Sequence, residues 1–209
     1  MSKKVIITIA RQYGSGGREI GERVAKILDI PLYDKDIIKD AAASENLSEE
    51  ILSSADESAT NSLLYTLAMG SNVFGATMHF GYKMPINDKL FILQSNVIKE
   101  YAKKGSCVII GRCADYVLKD EPGIYRIFIY GDLDHRQERI KERHSDIKSS
   151  QVMDIINKTD KRRASYYNFY TGNKWGKYDN YDLAINSSTL GIEATAQIIA
   201  ESAKKIIEN

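Results

Sequence analysis

Val5-Ile6-Ile7-Thr8-Ile9-Ala10-Arg11-Gln12-Tyr13-Gly14-Ser15-Gly16-Gly17-Arg18-Glu19-Ile20 is the stretch whose reading decides the fold. Its first six residues are nearly all apolar and largely β-branched, the pattern of a strand buried on both faces. A glycine cluster follows. Ile20, Val24, Ile27 and Leu28 then recur at helical spacing, with Glu22, Arg23 and Lys26 on the polar side. Strand, glycine turn and helix open a βα unit. Such a turn lets backbone N–H groups approach an anion with no Cβ in the way, and the helix N-terminus adds its partial positive charge. Phosphate suits that geometry, and Arg11 and Arg18 flank it. A tight strand-to-helix turn with no ligand is the plainer reading.

Further along, Ile30-Pro31-Leu32-Tyr33 reads as a short second strand ending at Asp34. Three more apolar runs, residues 106–111, 125–130 and 181–186, complete a sheet. Helical stripes lie between and after them: Leu90, Leu93, Val97 and Tyr101, closed by Gly105, and then Ile192, Ile199, Ala203 and Ile206. Ser187 or Ser188 is the expected N-cap of the last helix. Alternation of strands and helices predicts an α/β fold, a mainly parallel five-stranded sheet with helices on both faces. Two segments interrupt it. Residues 41–87 are rich in Ala, Ser, Asn and Gly and read as an inserted lobe. Residues 136–177 are dense in charge and read as a basic lid region.

The chain has 209 residues, enough for one domain with a substantial core. Twenty-nine basic residues against twenty-eight acidic leave a net charge of +1, which argues against a general nucleic-acid binder. Two cysteines, Cys107 and Cys113, exclude a disulfide-rich scaffold, and neither they nor His79, His135 and His144 share a metal-ligand spacing. No apolar run is long enough to span a membrane, and the short run before Arg11 does not read as a signal peptide. The expectation is a cytoplasmic protein.

Two phosphate-loop patterns compete for the glycine turn. The dinucleotide pattern G-x-G-x-x-G fits Gly14 and Gly16 but puts its third glycine on Glu19, while Asp34 stands where a ribose-binding acid belongs. The triphosphate pattern G-x-x-x-x-G-K-[ST], with Gly16 as its last glycine, puts its first glycine on Arg11, its lysine on Gly17 and its hydroxyl on Arg18. Losing one such positioned charge contact costs about 3 kcal/mol in a transition state, roughly two orders of magnitude in rate. Arg18, or Arg11 from the strand end, would offset part of that. A guanidinium cannot ligate magnesium, however, and Glu19 is badly placed beside a polyphosphate.

Several ordered motifs bear on the choice. The opening run to Gly21, Leu32-Tyr33-Asp34-Lys35-Asp36, the Gly111-Arg112 step and Asp160-Lys161-Arg162-Arg163-Ala164-Ser165-Tyr166-Tyr167 stand in this order, followed by Trp175 and Tyr181-Asp182-Leu183. Together they resemble the cytidylate kinase-like family, a branch of the P-loop nucleoside-monophosphate kinases with an altered phosphate loop, over nearly the whole chain. The resemblance implies a three-layer P-loop kinase-like fold with a monophosphate-binding lobe (residues 41–87) and a lid (136–177). It implies transfer of the ATP γ-phosphate, with Mg2+, to a pyrimidine nucleoside monophosphate such as CMP.

Phosphoryl transfer is catalysed mainly by positioning and by charge, and guanidiniums fork onto two oxygens at once. The expected catalytic residues are therefore Arg18, Arg112, Arg162 and Arg163. Arg11, Gly14, Ser15, Gly16, Gly17, Asp34, Arg139 and Arg143 are the expected substrate-binding residues, and no residue is assigned to a protein-held metal. A solvated helix face is the competing reading of Arg139, Arg143, Arg162 and Arg163. The expected partners are ATP and a small phosphorylated acceptor, with neither nucleic acid nor membrane; residues 69–84 read equally as acceptor lobe or homodimer contact. A non-catalytic nucleotide or phosphometabolite binder that kept the fold is the alternative function, and a dinucleotide-dependent oxidoreductase ranks last.

Overall fold

The computed structural model describes residues 4–43, 86–144 and 148–208. Most of the expected lobe, with His79 and residues 69–84, lies outside the described residues. The elements, in chain order, are β1 Ile6–Arg11, α1 Gly17–Leu28, β2 Leu32–Tyr33, α2 Asp36–Ala43, α3 Ile86–Lys104, β3 Cys107–Ile110, α4 Ala114–Val117 and β4 Ile124–Tyr130. Then come α5 Leu133–Arg143, α6 Ser149–Thr171, a short 3-10 turn at Tyr178–Asn180, β5 Leu183–Asn186 and α7 Ser187–Glu208.

The strands form one parallel sheet in the order β2-β3-β1-β4-β5. β1 is central, paired with β3 from Ile6↔Cys107 to Ile9↔Ile110 and with β4 from Ile6↔Ile124 to Arg11↔Ile129. Burial on both faces explains its unbroken apolar run. The period of two still sorts its side chains. Ile7 and Ile9 pack with Ile20 and Val24 of α1 and Ala196 and Ile199 of α7, while Ile6 packs with Ile37 of α2, Ile98 of α3 and Leu118 beyond α4.

The sheet order positions the site. The chain leaves β1 toward β2 on one side and leaves β3 toward β4 on the other, and α1 packs on the face opposite α2 and α3. A crevice opens between the carboxyl ends of β1 and β3, the place where open α/β sheets bind ligands. The glycine turn follows β1 and Gly111-Arg112 follows β3.

α7 departs from the expected capping. Gly191, at φ 74° and ψ 170°, breaks it after one turn. The Ser187 hydroxyl does not cap the helix; it donates instead to the carbonyls of Ser15, at 2.7 Å, and Tyr130, at 2.9 Å. No helix among the described residues is long and apolar enough to cross a membrane.

Candidate functional site

The glycine turn is held from three directions. Inside it, the Ser15 hydroxyl donates to the Gln12 carbonyl at 2.9 Å, and Gly14 and Gly16 take φ of 80° and 77°, which an L side chain rarely adopts. From behind, Ser187 binds the Ser15 carbonyl. From the side, Asp160 of α6 accepts the Tyr13 amide at 2.7 Å, while Arg136 Nη1 of α5 donates to the Tyr13 carbonyl at 3.1 Å and to Asp160 at 2.6 Å. Arg136 therefore leaves the basic lid group: it is buried, and it ties α5, α6 and the turn together. The turn delivers the chain into α1, whose first amides have no partner within the helix.

A cleft of about 480 Å³ opens over this helix end. Arg11, Gly14, Gly16, Gly17, Arg18, Asp34, Arg112, Arg139, Arg143, Arg162 and Arg163 all line it, so every expected site residue but Ser15 meets in one place. Ser15 is buried beneath, its hydroxyl committed to the turn. Lys35 and His144 also line the cleft and were not among the expected residues.

Arg112 reaches the cleft from a conformationally costly step. Gly111, Arg112 and Cys113 have φ of 71°, 55° and 54°, and a non-glycine residue in this region costs about 1–2 kcal/mol. The guanidinium is 3% exposed, with Nη2 3.9 Å from Asp34 Oδ1. Arg163 Nη1 donates to the Arg11 carbonyl at 3.0 Å, and its guanidinium lies 5.8 Å from the centre of the Tyr13 ring. Arg162 is exposed. Arg18 is exposed too, its Nε 3.2 Å from Glu22 and 3.3 Å from Asp34.

Glu19 is not the misplaced charge that the sequence suggests. Its carboxylate pairs with Arg23 at 3.0 Å and with Arg139 and Arg143 of α5. Burial works to raise its pKa, but the hydrogen bonds from Arg23 and Arg139 and the charges of Arg139 and Arg143 outweigh it and hold the carboxyl below the usual glutamate range. The floor of the site is apolar and aromatic. Tyr166 and Tyr167 are packed inside against Cys113 and Phe91. The Tyr167 hydroxyl donates to Asp115 at 2.7 Å, and burial drives that carboxyl above its ordinary range against the hydrogen bonds that oppose it.

The residues offer magnesium little. Arginine replaces the loop hydroxyl, Ser15 is committed, Glu19 faces three guanidiniums and Asp34 faces Arg18 and Arg112. Among the described residues no cluster of three His, Cys, Asp or Glu side chains could hold a metal. This donor set does not fit a magnesium held by the protein, and a metal would enter as part of the nucleotide substrate.

No curated protein matches the sequence. Among solved structures, an uncharacterized protein from Eubacterium ventriosum is similar at 27% identity and a TM-score of 0.70, over 96% of this chain and 99% of that one. A shikimate kinase from Bacteroides thetaiotaomicron is similar at 14% identity and TM-score 0.52, over 96% and 98%. A gluconokinase from Sinorhizobium meliloti is similar at 13% and 0.53, over 100% and 97%. The two kinases establish the P-loop kinase-like fold and nothing finer. The family model of the cytidylate kinase-like family matches residues 6–189, and the chain belongs to that family.

Proposed function

We propose that this protein is a phosphotransferase that moves the γ-phosphate of Mg-ATP to a pyrimidine nucleoside monophosphate of the CMP kind. One observation carries the reading: a glycine-rich turn at a helix N-terminus opens into a cleft whose guanidiniums come from β1, α1, the β3 step, α5 and α6. Membership of a kinase-like family supports it.

The backbone amides from Gly14 to Arg18 hold the donor phosphates, and Arg112, Arg139, Arg143, Arg162 and Arg163 neutralise the group in flight. An acceptor phosphate oxygen attacks the γ-phosphorus, the bond to the bridging oxygen breaks, and ADP leaves with that electron pair. The acceptor phosphate, with its second pKa near 6, needs no general base at neutral pH. Five positioned guanidiniums suit a reaction whose barrier is mostly charge.

A second reading has its own observation. Gly17 and Arg18 at the lysine and hydroxyl positions favour nucleotide or phosphometabolite binding without transfer. ADP release from Mg-ATP across a panel of nucleoside monophosphates, with thermal stability read in parallel, separates the two. Turnover dependent on CMP or a relative is expected. Stabilisation by ATP with no turnover supports the binder, and no response to any nucleotide refutes both the transferase and the nucleotide binder.

A further inference from the structure

We propose that Arg11 and Gly17 have exchanged places in the phosphate loop: the cation that the standard loop carries on the first turn of its helix stands here at the end of β1. This rests on the proposed binding of a nucleoside triphosphate at the turn.

The two departures from the standard pattern are opposite in sense. Where the pattern has its first glycine, this chain has Arg11; where it has lysine, this chain has Gly17. The positions are six apart in sequence and in contact in space. A Cβ built on Gly17 would lie 2.6 Å from Arg11 Cβ and 3.0 Å from its Cγ. The Arg11 stem thus fills the volume where a lysine stem would begin, and only one of the two positions can carry a side chain.

Backbone conformation does not account for this glycine. Gly14 and Gly16 have positive φ; Gly17 is an ordinary residue of the first turn of α1, where glycine is less favourable than alanine by about 1 kcal/mol. Steric room for Arg11 is what it provides. Arg11 is also well founded. It pairs with Ile129 at the end of the central strand, and Arg163 holds its carbonyl. Arg18, the other candidate for the missing charge, is exposed, so water screens what it can offer a phosphate. A guanidinium reaching from Arg11 forks onto two oxygens, so it spans adjacent phosphates where an ammonium meets them as a point charge.

The test measures ATP and tripolyphosphate binding by calorimetry, with thermal unfolding as the check on folding. Four proteins are compared with wild type: Arg11→Met, Arg18→Ala, Gly17→Lys and the exchange Arg11→Gly/Gly17→Lys. Arg11→Met keeps the stem over Gly17 and removes only the charge; binding of both ligands should weaken by about tenfold or more, against less than about threefold for Arg18→Ala. Gly17→Lys should lower the melting temperature through its collision with Arg11. The exchange variant should regain most of that loss and bind ATP within about fivefold of wild type. Wild-type binding with Arg11→Met unchanged, or an exchange variant no better than Gly17→Lys, would overturn the proposal and leave the nucleotide reading standing. Absence of ATP binding by wild type would remove the nucleotide reading itself.

Discussion

Asp160→Ala should be among the most damaging substitutions outside the apolar core. The side chains of Arg136 and Asp160 are 8% and 16% exposed, and their contact is 2.6 Å. Removing the carboxylate leaves a buried guanidinium whose Nε already lacks a hydrogen-bond partner among the described residues. Breaking such a pair costs about 3–5 kcal/mol, and the Tyr13 amide loses an acceptor worth about 1 kcal/mol. Each kcal/mol lowers the melting temperature of a chain this size by roughly 2–4 °C, so a fall of roughly 8–24 °C is expected. Arg136→Met, Asp160→Leu and their combination form a double-mutant cycle beside it. Together they remove both charges, and unfolding stability should return to within about 1.5 kcal/mol of wild type. ATP affinity, measured by calorimetry, should stay low in the double variant, because Tyr13 then loses its anchors on both amide and carbonyl. A cost below about 1 kcal/mol for Asp160→Ala, the scale of an exposed ion pair, would refute the argument. Wild-type ATP affinity in the double variant would refute its second half.

Glu19→Gln should lower stability by about 0.5–1 kcal/mol through its lost ion pairs, yet raise ATP affinity by about fivefold at low salt by removing a like charge from the phosphate site. Calorimetry at two salt concentrations checks this, and the gain should shrink at the higher one. Asp115 has a raised pKa when folded, so its contribution is present below its unfolded value, about 3.9, and is lost as pH rises through the folded value. Asp115→Asn keeps an acceptor for Tyr167 and should gain on wild type as pH rises above about 4; a stability difference in urea that stays flat with pH would exclude it. Cys107 is buried, which pushes its thiol up to about 11, so an alkylating reagent at pH 8 should modify it only after unfolding.

The sheet was legible because its signals are local. β1 needs only its own β-branched residues to be recognised, and the glycine turn needs only its own spacing. The Arg136 role was not legible. It lies in Leu133-Asp134-His135-Arg136-Gln137-Glu138-Arg139, where polar residues on every side suggest a solvated helix, and its partner Asp160 stands 24 residues away on another helix. Ser187 was misread for the same reason, since an N-cap is a local pattern while its bonds to Ser15 and Tyr130 span 172 and 57 residues. In the sequence, Asp160, Tyr167, Trp175 and Asp182 stand only as parts of motifs. The structure gives each a contact: the turn, Asp115, Phe128, and Arg126 through three hydrogen bonds of 2.8, 3.1 and 2.6 Å.

Ion pairs explain how four of the cleft's seven guanidiniums, those of Arg18, Arg112, Arg139 and Arg143, converge without driving its walls apart. The two carboxylates there each join cations from different elements. Glu19 links Arg23 of α1 to Arg139 and Arg143 of α5, and Asp34 links Arg18 of α1 to Arg112 beyond β3. An entering phosphate takes over guanidiniums that already converge on an anion, so little side-chain entropy is left to lose in arranging them. The same logic makes the exposed arginines more dispensable than the buried ones. Arg112, fixed by its left-handed backbone and nearly closed to solvent, has one geometry to offer; Arg143 and Arg162 can rearrange in water. Arg112→Lys should therefore cost far more ATP-dependent turnover than Arg162→Lys, since an ammonium on that fixed stem cannot reproduce the fork. Equal losses in the two variants would show that the cleft contributes only its summed charge.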